Sequence, residues 1–307
     1  MSVQPDPVIL KKLVLSKQLF NRALVQTNSF SNIEHLMAVI TFDLATETVL
    51  NAVVSSLEPN KTPSDGIPSL LNQVDKILSD KNIGNVPDRA NIVSVHNIRN
   101  DAQHDARYPH SSELSDCQTY TRDFLKKIVK LVWNVDFDKI TLTDLIKHEK
   151  IKTHLQSADE FLLNGNYKKA IEKATIGFDK ALSSVGRVLV GSTSLYSHNK
   201  IVVTDPFGRK MAGNDTITKA FERMQETLRL LALGLNSLDF LKYKKITGTP
   251  LYSLGNEEPI DFIFAKNDPT KDDAEFVVAY SINSILTIED KAGDIEKPFG
   301  KNPDSIF

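Results

Sequence analysis

The spacing of apolar residues through the first half of the chain is what most constrains its fold. From Pro7 to about Thr27, Ile9, Leu13, Leu15, Leu19, Phe20, Leu24 and Val25 recur at three- and four-residue intervals, so they share one side of a helix. Asn28 and Ser29 end that segment. Ser31 with Glu34 has the form of a capping box, opening a second helix through Ile33, Met37, Ile40, Leu44, Val49 and Val53. A third helix is expected from about Pro68 to Leu78, and a fourth begins near Pro87, where proline suits a first turn. Pro109 should stop the fourth, and Ser111 or Ser112 can cap a fifth through Leu114, Tyr120, Phe124, Ile128, Leu131 and Trp133. Residues 1–145 thus read as an antiparallel helical bundle.

Residues 146–307 open with a helical hairpin. Leu155, Ala158, Phe161 and Leu162 precede a break at Gly165 and Asn166, and Ala170, Ile171, Ala174, Phe178 and Ala181 follow it. No second copy recurs at a fixed period, so a solenoid is not expected. After a polar loop between His198 and Asn214, a long helix should run to about Tyr243. "IDFIFAK" and "EFVVAYSINSILTI" are rich in β-branched and aromatic residues, which predicts two or three strands near the end of the chain. "GKNPDSIF" reads as a loose tail. The expected architecture is mainly α: a helical bundle, then a second helical domain with a small β element. At 307 residues the chain has room for both cores.

Composition narrows the function. A net charge of −2 excludes a broad basic surface that would hold nucleic acid by phosphate neutralisation alone, although a local basic groove remains open. Cys117 is the single cysteine, so no internal disulfide and no zinc-type Cys/His set can form, and a reducing compartment fits. "MSVQPDPVIL" lacks the pattern of a secretory signal, and no uninterrupted apolar stretch nears the roughly 20 residues of a membrane helix. A cytoplasmic protein without membrane attachment is expected.

The unusual segment is "VHNIRNDAQHDARYPH", Val95 to His110, which holds three of the seven histidines. On a helix, Val95, Ile98 and Ala102 fall within about 60° and form a stripe toward the core. Arg99, Gln103, His96, Asn100, His104 and Asn97 occupy the outer side, with His96, Asn100 and His104 as an i, i+4 ladder. A permanently charged guanidinium, an imidazole that exchanges a proton near neutral pH and an amide that can fix its tautomer suit phosphodiester cleavage. That reaction needs a base for the ribose 2′-hydroxyl, a cation for the phosphorane oxygens and an acid for the leaving 5′-oxygen. Arg99 and His104 point about 140° apart on one helix, so a two-fold related copy is expected to complete the cleft.

"RNDAQH", Arg99 to His104, resembles the arginine, polar residue, spacer and histidine signature of the HEPN superfamily, and its position late in a helical bundle agrees. The resemblance implies a four- to five-helix bundle that dimerises and, in many members, a metal-independent endoribonuclease at the dimer interface. By position it implies Arg99 as phosphate and transition-state ligand, His104 as general acid/base and Asn100 as the residue that positions them. It further implies an acidic residue on the second helix facing the motif, for which "FDLATETVL" offers Asp43 and Glu47, with Gln103 beside the motif. Ala106 stands where the toxin branch paired with a nucleotidyltransferase antitoxin carries a tyrosine, which sets this chain apart from that branch.

Plainer readings compete. Arg99 and His104 could belong to a solvated face, their charges paired with Asp101 and Asp105, and His96 and His110 read as surface and loop histidines. A two-histidine, two-aspartate metal site is disfavoured by Arg99, so neither metal nor cofactor is expected. "KYKK" at Lys242–Lys245 reads as a solvated face, Tyr167 and Phe178 as core, and "GSTS" at Gly191–Ser194 lacks the ending of a phosphate-binding loop. Two functions follow: a homodimeric endoribonuclease acting on single-stranded RNA, in defence or stress response, or a helical dimerisation and RNA- or partner-binding module without turnover. In either, residues 146–307 would sense a small ligand or bind a regulatory protein.

Overall fold

The computed structural model describes residues 4–189, 228, 230–251, 259 and 261–296. It divides into two compact units, Met1–Leu145 and Ile146–Phe307. The fold is mainly helical, with one two-stranded antiparallel sheet near the C-terminus.

The first unit holds α1 (Pro7–Thr27), α2 (Asn32–Leu57), α3 (Ile67–Asp80), α4 (Arg89–His104) and α5 (Ser111–Trp133), then two short 3-10 turns at Phe137–Lys139 and Leu142–Leu145. Asp6 caps α1, its Oδ1 accepting from the N–H groups of Val8 and Ile9 at 2.8 Å each, and Pro7 fills the first turn where no N–H is needed. Ser31 does stand at the N-cap of α2, but its hydroxyl makes no capping bond, so the expected capping box is not formed. His110, not Ser111 or Ser112, occupies the N-cap of α5, and its N–H donates to Glu113 Oε2 at 2.8 Å. α4 stops before Pro109 is reached. Ala106 adopts φ +52°, a left-handed conformation that costs a non-glycine residue about 1–2 kcal/mol and turns the chain out of the helix.

α2 is the central element, packed against α1, α3, α4 and α5. Ala38, Phe42, Ala45, Val49, Leu50 and Val53 are all fully buried, so the helix is covered around most of its circumference rather than along one stripe. Small residues let α1 approach: Ser16 Oγ donates to the Ala45 carbonyl at 2.8 Å. Phe20 meets Phe42 and Phe137 at ring separations of 5.6 and 6.2 Å, and Trp133 donates its indole N–H to Ser56 Oγ at 3.1 Å. By length and mean composition alone α2 is long and apolar enough to cross a bilayer, although Asp43 and Glu47 interrupt its apolar residues. Yet 67% of its most apolar window is buried inside the protein, as a core helix requires.

The second unit begins with the expected hairpin, α6 (Glu149–Leu163) and α7 (Tyr167–Leu189), turned at Gly165 with φ +73°. α6 and α7 pack closely because Gly177 lacks a side chain where Leu155 lies. The expected long helix to Tyr243 is interrupted: Gly234 takes φ +70°, Asn236 caps a new start, and α8 runs Ser237–Ile246. β1 (Gly248–Leu251), not foreseen, pairs with β2 (Asp261–Phe264), which lies within the expected strand "IDFIFAK". "EFVVAYSINSILTI" is not a strand but part of α9 (Lys271–Glu296). Its buried residues Val277, Val278, Ser281, Ile282, Ile285 and Ile288 follow the helical period, which outweighs the β-branched composition.

Phe178, Phe240, Tyr243 and Tyr280 form an aromatic core with ring separations from 5.1 to 6.3 Å. Phe178 is core as expected, whereas Tyr167 is only half-buried. "KYKK" is not a plain solvated face: Tyr243 is buried, and Lys242 and Lys244 sit over the rings of Phe276 and Phe240. Glu289 on α9 is also buried and accepts from the N–H groups of Lys147 and His148 at 3.0–3.2 Å, just ahead of α6. "GSTS", the polar loop, the first part of the expected long helix and the terminal "GKNPDSIF" lie outside the described residues.

The start of α9 is locked by a reciprocal pair. The Thr270 N–H donates to Asp273 Oδ2 at 2.8 Å, and the Asp273 N–H donates to Thr270 Oγ1 at 3.3 Å. The Lys266 ammonium, 2.6 Å away, and the Thr270 N–H hold the Asp273 carboxyl down at about 2. A carboxyl depressed below its unfolded value of about 3.9 contributes stability above that pH and loses it as pH falls through the folded value. Asp273→Asn should therefore destabilise the protein at neutral pH, by about 0.3–1 kcal/mol once solvent screening of this partly exposed position is allowed for. In acid denaturation the gap from wild type should close between the unfolded value and about 2.

Candidate functional site

The polar segment lies on α4, and its inner face is wider than the stripe Val95, Ile98 and Ala102. Ile92 is fully buried as well. On the helical wheel Ile92 and Val95 lie about 60° apart with Arg99 between them, and His96 sits at the edge of the same arc. Arg99 and His96 therefore turn inward, against the expectation that both belong to the outer side. Neither is solvated freely: their side chains are 26% and 13% exposed.

What they turn toward is Asp43. On α2, Asp43 falls in phase with Val39, Thr46 and Leu50, all buried, so a carboxylate occupies a core stripe and is itself 4% exposed. His96 Nδ1 lies 3.2 Å from both Asp43 oxygens, and Arg99 Nε lies 3.4 Å from Oδ2. Arg99 Nη1 donates to Asn100 Oδ1 at 2.9 Å, which fixes the plane of the guanidinium. Arg99 Nη2 and His96 Nε2 have no hydrogen-bond partner among the described residues. Burial raises the Asp43 carboxyl above its ordinary value, while the adjacent His96 and Arg99 work in the other direction.

Of the two second-helix carboxylates, Asp43 is the one that faces the motif. Glu47, one turn on and rotated by about 40°, makes no hydrogen bond or ion pair with Arg99 among the described residues. Asp101 does not pair with Arg99 either: its carboxylate, with Glu113, binds Arg107 at 2.9 Å. That bridge ties the end of α4 to the start of α5 across the Ala106 turn. His104 is the last residue of α4; it and Gln103 are exposed, and their side chains make no hydrogen bonds among the described residues. Within one chain, Asp43, His96, Arg99 and Asn100 are brought together, and His104 stands apart from them.

His96 and its link to Asp43 are what reading the segment alone passed over. The signal was present: Asp43 interrupts an apolar stripe, and a buried carboxylate requires a partner. Cys117, fully buried near Asp43, has its thiol pushed up to about 12, first by burial and then by the carboxylates around it. It holds no thiolate for chemistry. No group of His, Cys, Asp and Glu among the described residues is arranged to hold a metal ion.

No family model, curated protein or solved structure matches the chain.

Two outcomes test this geometry. Asp43→Asn and Arg99→Ala should be non-additive in chemical denaturation, with a coupling of roughly 0.5–3 kcal/mol; additivity would mean that the pair is not formed in solution. Cys117 should resist a thiol reagent in the native protein and react stoichiometrically once denaturant is added.

Proposed function

We propose that the chain is a metal-independent endoribonuclease that cleaves single-stranded RNA, with Arg99, Asn100 and His104 of two copies surrounding one cleft. The observation that carries the reading is the buried Asp43 carboxylate. It grips Arg99 through Nε and leaves Nη2 unengaged, so the guanidinium is aimed and not swept through solvent. A positioned cation of that kind is what a phosphorane requires. Asn100 supports the guanidinium, and His104 supplies acid–base capacity at the end of α4.

Two further features favour a second copy. Arg99 and His104 diverge by about 140° on α4, too far for one helix to converge them on one phosphate. Ile33, Met37 and Leu44 are exposed and fall within about 40° of one another on α2, forming an apolar stripe that a partner could cover. The resemblance of "RNDAQH" to the HEPN signature agrees with the same assembly. The products would be a 2′,3′-cyclic phosphate and a 5′-hydroxyl, and DNA would survive for want of the 2′-hydroxyl. Restraint of such an enzyme, in a defence or stress response, falls to residues 146–307 through a ligand or partner.

A second reading has its own support. Arg99 is already paired with Asp43 and Asn100, which also fits a residue that only fastens α4 to α2. In that case the protein is a dimerisation and RNA- or partner-binding module.

Purified protein incubated with mixed-sequence single-stranded RNA in EDTA separates the two. Cleavage should fall by about 100-fold or more in Arg99→Ala and in His104→Ala, each shown to be folded and equally oligomeric. Equal traces of cleavage in all three proteins would mean contamination. RNA binding by wild type without turnover would establish the module.

A further inference from the structure

Resting on the ribonuclease reading, we propose that His96, which the arginine–histidine signature does not include, is the base that activates the 2′-hydroxyl, with Asp43 as its orienting carboxylate. His96 is the histidine that shares the Asp43 grip with Arg99. It precedes Arg99 by three positions, so their Cβ atoms lie about 5–6 Å apart, whereas His104 follows by five and diverges. Base and phosphate cation thus come from one chain, already assembled.

The contact also fixes which nitrogen acts. An ionised carboxylate can only accept hydrogen bonds; burial works against that form, and the adjacent His96 and Arg99 both work for it. Both Asp43 oxygens lie 3.2 Å from Nδ1, so Nδ1 carries the proton and donates it to Asp43. Nε2 is left with its lone pair and without a hydrogen-bond partner among the described residues, on a side chain that is 13% exposed. Carboxylate, imidazole and reacting hydroxyl in line is the arrangement by which other hydrolytic sites set a histidine's tautomer. With solvent reaching the histidine and Arg99 on the same side of α4, a phosphate held by Arg99 would bring its neighbouring 2′-hydroxyl toward Nε2.

The chemistry balances with two histidines in opposite roles. His96 Nε2 takes the proton of the 2′-hydroxyl as the 2′-oxygen bonds to phosphorus. The bond from phosphorus to the 5′-oxygen breaks, and the leaving oxygen receives a proton from His104. The cyclic phosphate and 5′-hydroxyl depart, and the two imidazoles exchange one proton through water to return to their starting states.

The test pairs a readout of the tautomer with a readout of the role. Nitrogen-15 imidazole spectra of the full chain should show His96 as the Nδ1–H tautomer, and Asp43→Asn should abolish that preference. In cleavage, His96→Gln, which keeps an N–H for Asp43, should lose about 100-fold or more. An RNA substrate with sulfur in place of the 5′-bridging oxygen separates base from acid, since a thiolate leaves without a proton. His104→Ala should recover on that substrate and His96→Gln should not. An Nε2–H tautomer, near-normal cleavage by His96→Gln, or its rescue by sulfur would each overturn the assignment while leaving the ribonuclease reading intact. A wild-type chain that cleaves neither substrate would defeat the ribonuclease reading itself, and the role of His96 with it.

Discussion

The burial of α2 around most of its circumference is the constraint on which the first unit depends. A helix packed against four others has almost no face left for unpaired polar groups, so each one it carries must find a partner, either in its own preceding turn or across a helix–helix contact. Thr46 returns its hydroxyl to the Phe42 carbonyl, and Ser56 receives the Trp133 indole. Ala45 lends its carbonyl to Ser16 of α1. Asp43 is the expensive member of the series, because a carboxylate cannot be satisfied by its own helix. Its partners come from α4, and the packing of α4 on α2 is thereby tied to the orientation of His96 and Arg99.

That coupling explains why a site can stand on rigid elements here. Hydrophobic burial of Ile92 and Val95 sets the rotation of α4, and the Asp43 cluster then fixes Arg99 within the buried arc and His96 at its edge. The end of the helix is held separately, by the Arg107 bridge to Asp101 and Glu113 that supports the left-handed Ala106. Arg99 and His96 are thus immobilised by a core carboxylate, whereas His104 is placed only by where α4 stops. The cost of keeping a carboxylate in the core is consistent with a site whose electrostatics matter more than its contribution to stability.

The second unit satisfies its carboxylates largely through backbone N–H groups. Glu289 is satisfied by two successive N–H groups ahead of α6, 141 and 142 residues away in sequence. Asp273 is satisfied by the first turn of its own helix and by Lys266. The aromatic cluster around Tyr243 then supplies apolar mass where α7, α8 and α9 meet. "EFVVAYSINSILTI" was misleading by composition, since β-branched residues suit strands; its burial at three- and four-residue steps, together with the Thr270 and Asp273 cap, makes it a helix. β1 was illegible because four residues around Gly248 and Pro250 carry too little periodic signal, and only pairing with β2 defines them as a strand.

The sequence by itself determined the five helices of the first unit, the α6–α7 hairpin and the residue types gathered on α4. Periodic burial and turn residues are local properties that a single chain displays in order. The resemblance of "RNDAQH" implied a second-helix carboxylate facing Arg99, for which the sequence offered Asp43 or Glu47. Only the tertiary structure decided between them, because the choice turns on the rotation of α2 against α4, which is set by side chains from both. The same rotation drew Arg99 and His96 inward and left His104 outside. Positions on one helical wheel say what lies beside what, but how far the buried arc extends is fixed by the helix that packs against it.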